Sequence, residues 1–359
     1  PSAINTNLFL PVFRIGSVHT RFQLTLCPGF SLFGPDMCSP LSLLSKITCE
    51  SVLASRPTHR VPIVISANTP LSEACRILAD ASITSAPVFS PADHSFIGFL
   101  DYMDIIQLIV RREDHSSLDP WLDSLLRDKD VTQATAGEIA ALFPGHSFCS
   151  IRHDSMLDEV CKILVSTSGK GRIRHRLPVT DSNGKFIGVI SQSDLIKILY
   201  GLRGQLNGLM SKSVHDLGLG MQGHDAVVTC DVETSLIHCL QTMVAKEVSS
   251  VGLVDEDYHI IMVFSLSDTK YLMMQPTMQD LNNTLNRSVG DYKSDLLRSS
   301  INVKDASPVY VVHPNATVEH TMGKIVATHA HRIYVCQDHV AKGVISTTDL
   351  LNTVIELNK

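Results

Sequence analysis

In the 359-residue chain, His175-Arg176-Leu-Pro-Val and His331-Arg332-Ile-Tyr-Val each set a histidine beside an arginine at the head of an apolar run. Arginine presents a planar fork that grips phosphate bidentately, and a neighbouring histidine adds a further donor. The chemistry on offer is anion binding. Downstream of each pair comes a second constellation, Ser191-Gln-Ser-Asp194 and Ser346-Thr-Thr-Asp349, each ahead of an apolar stretch. At a helix start this spacing makes a capping box, with serine at the N-cap and the acid at N3. The same helix mouth, through its free N–H groups, its dipole and the serine hydroxyl, also suits a phosphate. A single match means only capping. Recurrence in step with a basic pair points to a ligand, and the two roles can coexist.

The elements that must position these residues recur as well. Gly343-Val-Ile-Ser346-Thr-Thr-Asp349-Leu-Leu copies Gly188-Val-Ile-Ser191-Gln-Ser-Asp194-Leu-Ile, while Met262-Val-Phe-Ser265-Leu-Ser-Asp268 and Gly98-Phe-Leu-Asp101-Tyr-Met-Asp104-Ile-Ile are degraded copies. Around the best copy, the pattern predicts a strand over 177–180, a turn on Asp181-Ser-Asn-Gly184, a strand over 186–190 and a helix over 195–200. Upstream of each copy lies an amphipathic helix with i, i+3, i+4, i+7 spacing: Leu71/Ala74/Cys75/Leu78, Leu157/Val160/Cys161/Leu164, Leu236/Cys239/Leu240/Met243 and Val318/Thr321/Met322/Ile325. Apolar strands precede these helices at 61–65, 148–151, 226–230 and 309–312. The unit is strand–helix–strand–strand–helix, four times over.

This unit resembles the CBS domain, named for cystathionine β-synthase, whose G-h-h-S/T-x-x-D closes the second strand pair. Four in one chain resemble the γ regulatory subunit of the AMP-activated protein kinase family, over roughly residues 50–357. The two His-Arg pairs, the lead-in Ser213-Val-His-Asp-Leu-Gly-Leu-Gly220 and the missing motif glycine at Met262 are shared marks. The resemblance implies an α+β fold of four βαββα repeats, forming two CBS pairs (Bateman modules) stacked as a disc. It implies that AMP, ADP or ATP binds between paired repeats as a regulatory ligand, with no cofactor. His175, Arg176, Ser191, His259, Ser265, His331, Arg332 and Ser346 would face phosphates; Asp104, Asp194, Asp268 and Asp349 would take ribose hydroxyls, as acceptor-only groups can. The first repeat departs from the pattern: Asp101 replaces the Ser or Thr, and Thr84 stands where the γ subunit has an arginine. A carboxylate at that helix start repels phosphate. His259 replaces another arginine of that subunit, weakening the charge at neutral pH.

The boundaries expected are an extension at 1–48, repeats at 49–112, 142–201, 202–275 (with its lead-in) and 307–359, and connectors at 113–141 and 276–306. Trp121 reads as a packing residue in the first connector. The extension begins on Pro1 and has no acidic residue before Asp36; it reads as an organelle transit segment, a disordered tail or sequence ahead of an initiator at Met37. Without it, the expected location is cytoplasmic or nuclear. A net charge of −6 argues against nonspecific nucleic-acid binding, and no run of about 18 apolar residues suggests a membrane span. Nine cysteines, an odd number without C-x-x-C, fall largely on apolar faces and read as packed thiols in a reducing compartment. An enzyme is not expected, because the residues outside the repeats are too few for a catalytic domain. The two remaining classes are an energy-sensing subunit in a heterotrimer with a Ser/Thr kinase catalytic subunit and a scaffold subunit, or a stand-alone scaffold or inhibitor of another enzyme such as a phosphatase.

Overall fold

The structure, a computed structural model, describes residues 39–56, 62–114, 134–142, 149–166, 174–220, 227–275, 277–298, 309–338 and 340–357. Residues 1–38, Trp121, Val61, Phe148 and Ala226 lie outside them. Two short helices, α1 (Pro40–Leu44) and α2 (Cys49–Ala54), come first. The first repeat is β1 (Ile65–Ser66), α3 (Leu71–Asp80), β2 (Ser85–Ser90), β3 (Ser95–Asp101) and α4 (Tyr102–Asp114). After α5 (Ala136–Leu142), the second runs β4 (Ile151–Arg152), α6 (Leu157–Val165), β5 (Arg176–Thr180), β6 (Phe186–Ser191) and α7 (Gln192–Gly201). The third is β7 (Thr229–Asp231), α8 (Leu236–Ala245), β8 (Ser250–Val254), β9 (Ile260–Ser265) and a 3-10 helix, Leu266–Met274. After α9 (Val289–Arg298), the fourth is β10 (Val311–Val312), α10 (Val318–Thr328), β11 (Arg332–Gln337), β12 (Val340–Ser346) and α11 (Thr347–Glu356).

Each repeat carries one three-stranded sheet, its first strand parallel and its last antiparallel to the middle one. The first strands pair over only two or three residues, up to four positions later than the apolar runs suggest. Apolarity marks burial, whereas the ladder forms only where the chain reaches the middle strand. The expected turn is in place, with Gly184 at φ +79°, a conformation that favours glycine. The four predicted apolar helix faces are all buried.

Helices of repeats 1 and 3 share one core and helices of repeats 2 and 4 share another. Sheets meet the other way: Phe96 packs edge-on against Phe186 between repeats 1 and 2, with centroids 5.5 Å apart. Val263, Tyr334 and Ala341 pack between repeats 3 and 4. Each repeat therefore touches two neighbours, through helices on one side and its sheet on the other.

The described segments between the repeat strands pack on the repeats. Each docks on the repeat it does not lead into. The N–H groups of Cys49 and Glu50 in α2 donate to Ser155 and His153 of repeat 2, and Ala136 of α5 donates to Thr69 of repeat 1. Val214 donates to Ala316 of repeat 4, and Val289 of α9 to Thr234 of repeat 3. Gly220 ends one such segment at φ +64°, where a Cβ would strike Val335 and Ile345. At the end of the expected extension, Leu43, Leu44 and Ile47 are buried in the core of repeats 2 and 4.

Candidate functional site

The register of the antiparallel pairs brings the basic dipeptides and the helix mouths together. Arg176 lies opposite Ser191, and Arg332 opposite Ser346. In repeats 1 and 3 the same ends hold Thr84-Ser85 opposite Asp101 and Ser249-Ser250 opposite Ser265. Each arginine reaches across the sheet contact to its neighbour. Arg176 donates through Nη2 to Thr84 Oγ1 (2.9 Å) and through Nη1 to the Ser85 carbonyl (3.2 Å). Arg332 donates to Ser249 Oγ, the equivalent atom of repeat 3. The expected arginine at Thr84 is thus replaced by a hydroxyl that orients the arginine of repeat 2.

Repeats 2 and 4 meet at the mouths of α7 and α11. Gln192, the first residue of α7, is buried; its Oε1 accepts from Thr347 Oγ1 (2.9 Å) and Thr348 Oγ1 (3.0 Å) at the start of α11. His175 Nδ1 lies 3.4 Å from the same oxygen, and Ser193 Oγ lies 3.2 Å from His331 Nδ1. These bonds gather His175, Arg176, His331 and Arg332 beside two helix N-termini, with Lys197 acting on the same group. His175 and His331 are both exposed, so water screens part of the charge around them. Desolvation, then the charges of Arg176 and Arg332, then His175 and Lys197, pull the His331 pKa down to about 4. His175 is also held below its ordinary value, chiefly by desolvation. Burial lowers both arginines, opposed by Asp101 and Asp194 at Arg176, and by Tyr334 and Asp349 at Arg332. A field that disfavours a further proton favours an anion.

The four motif aspartates divide. Asp194 Oδ2 accepts from Ser191 N (2.8 Å) and Oγ (2.6 Å), and Asp349 Oδ2 accepts from Ser346 N and Oγ, both at 2.7 Å. These are complete capping boxes. Asp194 also meets Arg56 Nη2 at 3.0 Å. Asp349 has no cation partner among the described residues. Asp268 closes a capping box as well, but its Oδ1 meets Lys293 Nζ at 2.7 Å, with side chains only 4 % and 1 % exposed. Asp104 is fully buried, with Oδ2 accepting from Asp101 N at 3.3 Å. Neither Asp268 nor Asp104 opens onto a cleft, so the ribose role expected of them does not fit their surroundings. Ser265 stands at its helix mouth, but the helix that follows is 3-10.

His259 is not part of the cluster. Ser250 pairs with Ser265 at one end of the hairpin and Val254 with Ile260 at the other, so His259 lies about 17 Å away along the strand. There its N–H donates to Asp255 Oδ1 (2.9 Å), and its ring lies 3.4 Å from Asp255 Oδ2. A recess of about 430 Å³ opens at that same end, beside Ile260, Val312, His313 and Cys336, away from the basic cluster. Sequence reasoning missed Gln192, Ser193, Thr347, Thr348 and Lys197. The first four are the variable positions within Ser-x-x-Asp, and Lys197 lies one turn on. Arg56 and Lys293 gave no local signal, because crossed-over segments deliver them.

Comparison with known proteins agrees with this fold. The CBS domain family matches residues 57–111, 141–201 and 303–356. The third repeat lies outside those ranges yet has the same three-stranded sheet. Among curated proteins, the chain is 27% identical over 286 residues to protein sds23 of Neosartorya fischeri, covering 76% of this chain and 50% of that protein. It is 28% identical to SDS23 of Saccharomyces cerevisiae over 77% of this chain and 53% of the other. With sds23/moc1 of Schizosaccharomyces pombe the identity is 27%, over 86% and 76%. The chain thus spans about half the length of the first curated relatives it matches. A crystal structure from Methanocaldococcus jannaschii, described as an archaeal homologue of the AMPK γ subunit, superposes with TM-score 0.61 at 14% identity, covering 82% of this chain and 96% of that one. The chain thus carries CBS domains at 57–111, 141–201 and 303–356, and its fold is similar to that of the Methanocaldococcus jannaschii protein.

Proposed function

We propose that this chain is a non-catalytic regulatory protein that binds an adenine nucleotide, AMP, ADP or ATP, and adjusts a Ser/Thr kinase in response to it. The observation that carries this reading is the convergence of His175, Arg176, His331 and Arg332 on two helix N-termini. Phosphates would sit among these groups, and the ribose diol on Asp349 or Asp194. Such a ligand regulates only if it favours one arrangement of the repeats over another. Calorimetric titration with AMP tests the binding: Asp349→Ala is expected to lose about ten- to a hundred-fold in affinity, as for a charge-assisted bond of roughly 1.5–3 kcal/mol. Unchanged affinity with a lowered melting temperature would leave capping as the carboxylate's only role.

A second reading is a stand-alone scaffold or inhibitor of another enzyme, for instance a phosphatase. Arg56 at Asp194 and Lys293 at Asp268 favour it, since both carboxylates already have cations. Copurification from the native source separates the two. A kinase catalytic subunit recovered with the chain supports the first; the chain recovered with another enzyme and no kinase supports the second.

A further inference from the structure

We infer that Arg56 is an internal competitor at the repeat 2 carboxylate, so that the clefts of repeats 2 and 4 hold nucleotide with different affinities. The inference rests on the nucleotide reading above and adds a residue that sets which cleft fills first. Three aspartates share one capping role through Oδ2, so the environment of the remaining charge sets them apart. At repeat 3, Lys293 from α9 seals Asp268 in a pair only 1 % and 4 % exposed. At repeat 2, Arg56 follows α2 and reaches Asp194 at 3.0 Å, with the pair 32 % and 23 % exposed. At repeat 4, the docked segment carries Lys212, whose carbonyl accepts from Val318 N, and Arg203 before it pairs with Glu319 at 3.3 Å; among the described residues no salt bridge reaches Asp349.

The crossover of the lead-in segments makes this grading physical. Because α2 docks on repeat 2, its C-terminal end delivers a cation to the carboxylate that would otherwise receive ribose hydroxyls. A partly exposed ion pair is displaceable, whereas the sealed Asp268–Lys293 pair is not. Nucleotide enters repeat 4 without displacing anything at the carboxylate. In repeat 2 it must share or expel the guanidinium.

The test is AMP titration calorimetry on the full chain, with a thermal melt of each variant to confirm folding. Asp349→Ala isolates the repeat 2 cleft. In that background Arg56→Met is expected to tighten AMP binding about two- to five-fold, the range for losing competition from an exposed pair, and Arg56→Lys to change it little. Arg56→Gln serves as the charge-free variant should Arg56→Met fail to fold. Equal affinity with and without Arg56 overturns the inference, and weaker affinity overturns it by marking Arg56 as a phosphate contact. Failure of the native chain and all variants to bind AMP overturns the nucleotide reading itself, an outcome distinct from the other two.

Discussion

Repeats 2 and 4 and repeats 1 and 3 have the same strand order, yet they use the same positions in opposite ways. The even repeats start their middle strands with His-Arg and follow their last strands with regular helices on complete capping boxes. The odd repeats start theirs with Thr84-Ser85 and Ser249-Ser250, and bury their motif aspartates. One set supplies cations and the other receives them as hydrogen-bond acceptors. A fourfold sequence repeat thus becomes a structure with one charged junction, between repeats 2 and 4, instead of four equivalent sites.

Several substitutions break or sharpen this contrast. The largest effect is expected from Lys293→Met, which strands the buried carboxylate of Asp268 and costs roughly 3–5 kcal/mol of stability. Urea unfolding reads it, and Lys293→Met with Asp268→Asn should recover much of the loss. A small loss in the single variant would mean that repeat 3 is not sealed. Next comes Arg332→Ala, expected to weaken AMP binding about ten- to a hundred-fold, on the scale of a lost charge-assisted contact. Calorimetry gives the number, and no change would place the phosphate elsewhere.

The pH dependence is intermediate in size. His331 has a folded pKa of about 4, below the ordinary histidine value of about 6.5, so the unfolded chain takes up its proton first. The stability contributed by neutral His331 is fully present above about pH 6.5 and is lost as pH falls toward 4. Thermal melts from pH 7 to 5 should show this loss, and His331→Gln should flatten the slope. The smallest effect is expected from Thr84→Ala, which removes one acceptor from Arg176 and should cost only about 0.5–1.5 kcal/mol.

The sequence made the repeat unit legible because it is local. Period-3.6 faces such as Leu157/Val160/Cys161/Leu164 are buried as read, and the Ser-x-x-Asp spacing caps helices as read. The His-Arg pairs lie at the helix mouths because hairpin register fixes which residues face each other. What stayed hidden depends on how distant segments dock. Arg56 is 138 positions from Asp194, and only the crossover of α2 onto repeat 2 brings them together. The resemblance set His259 at an arginine's position, but a strand's length separates it from the Ser250–Ser265 end of its hairpin. Asp268 keeps the Ser-x-x-Asp spacing, and a lysine 25 positions on decides its role.

The most direct test of the charged junction is the titration of His331 followed by NMR of its imidazole, without and with saturating AMP. The account predicts a midpoint of about 4 in the free protein, rising when phosphate enters among Arg176, Arg332 and Lys197. A free-protein midpoint near the ordinary value, or one that AMP binding leaves unmoved, would contradict it.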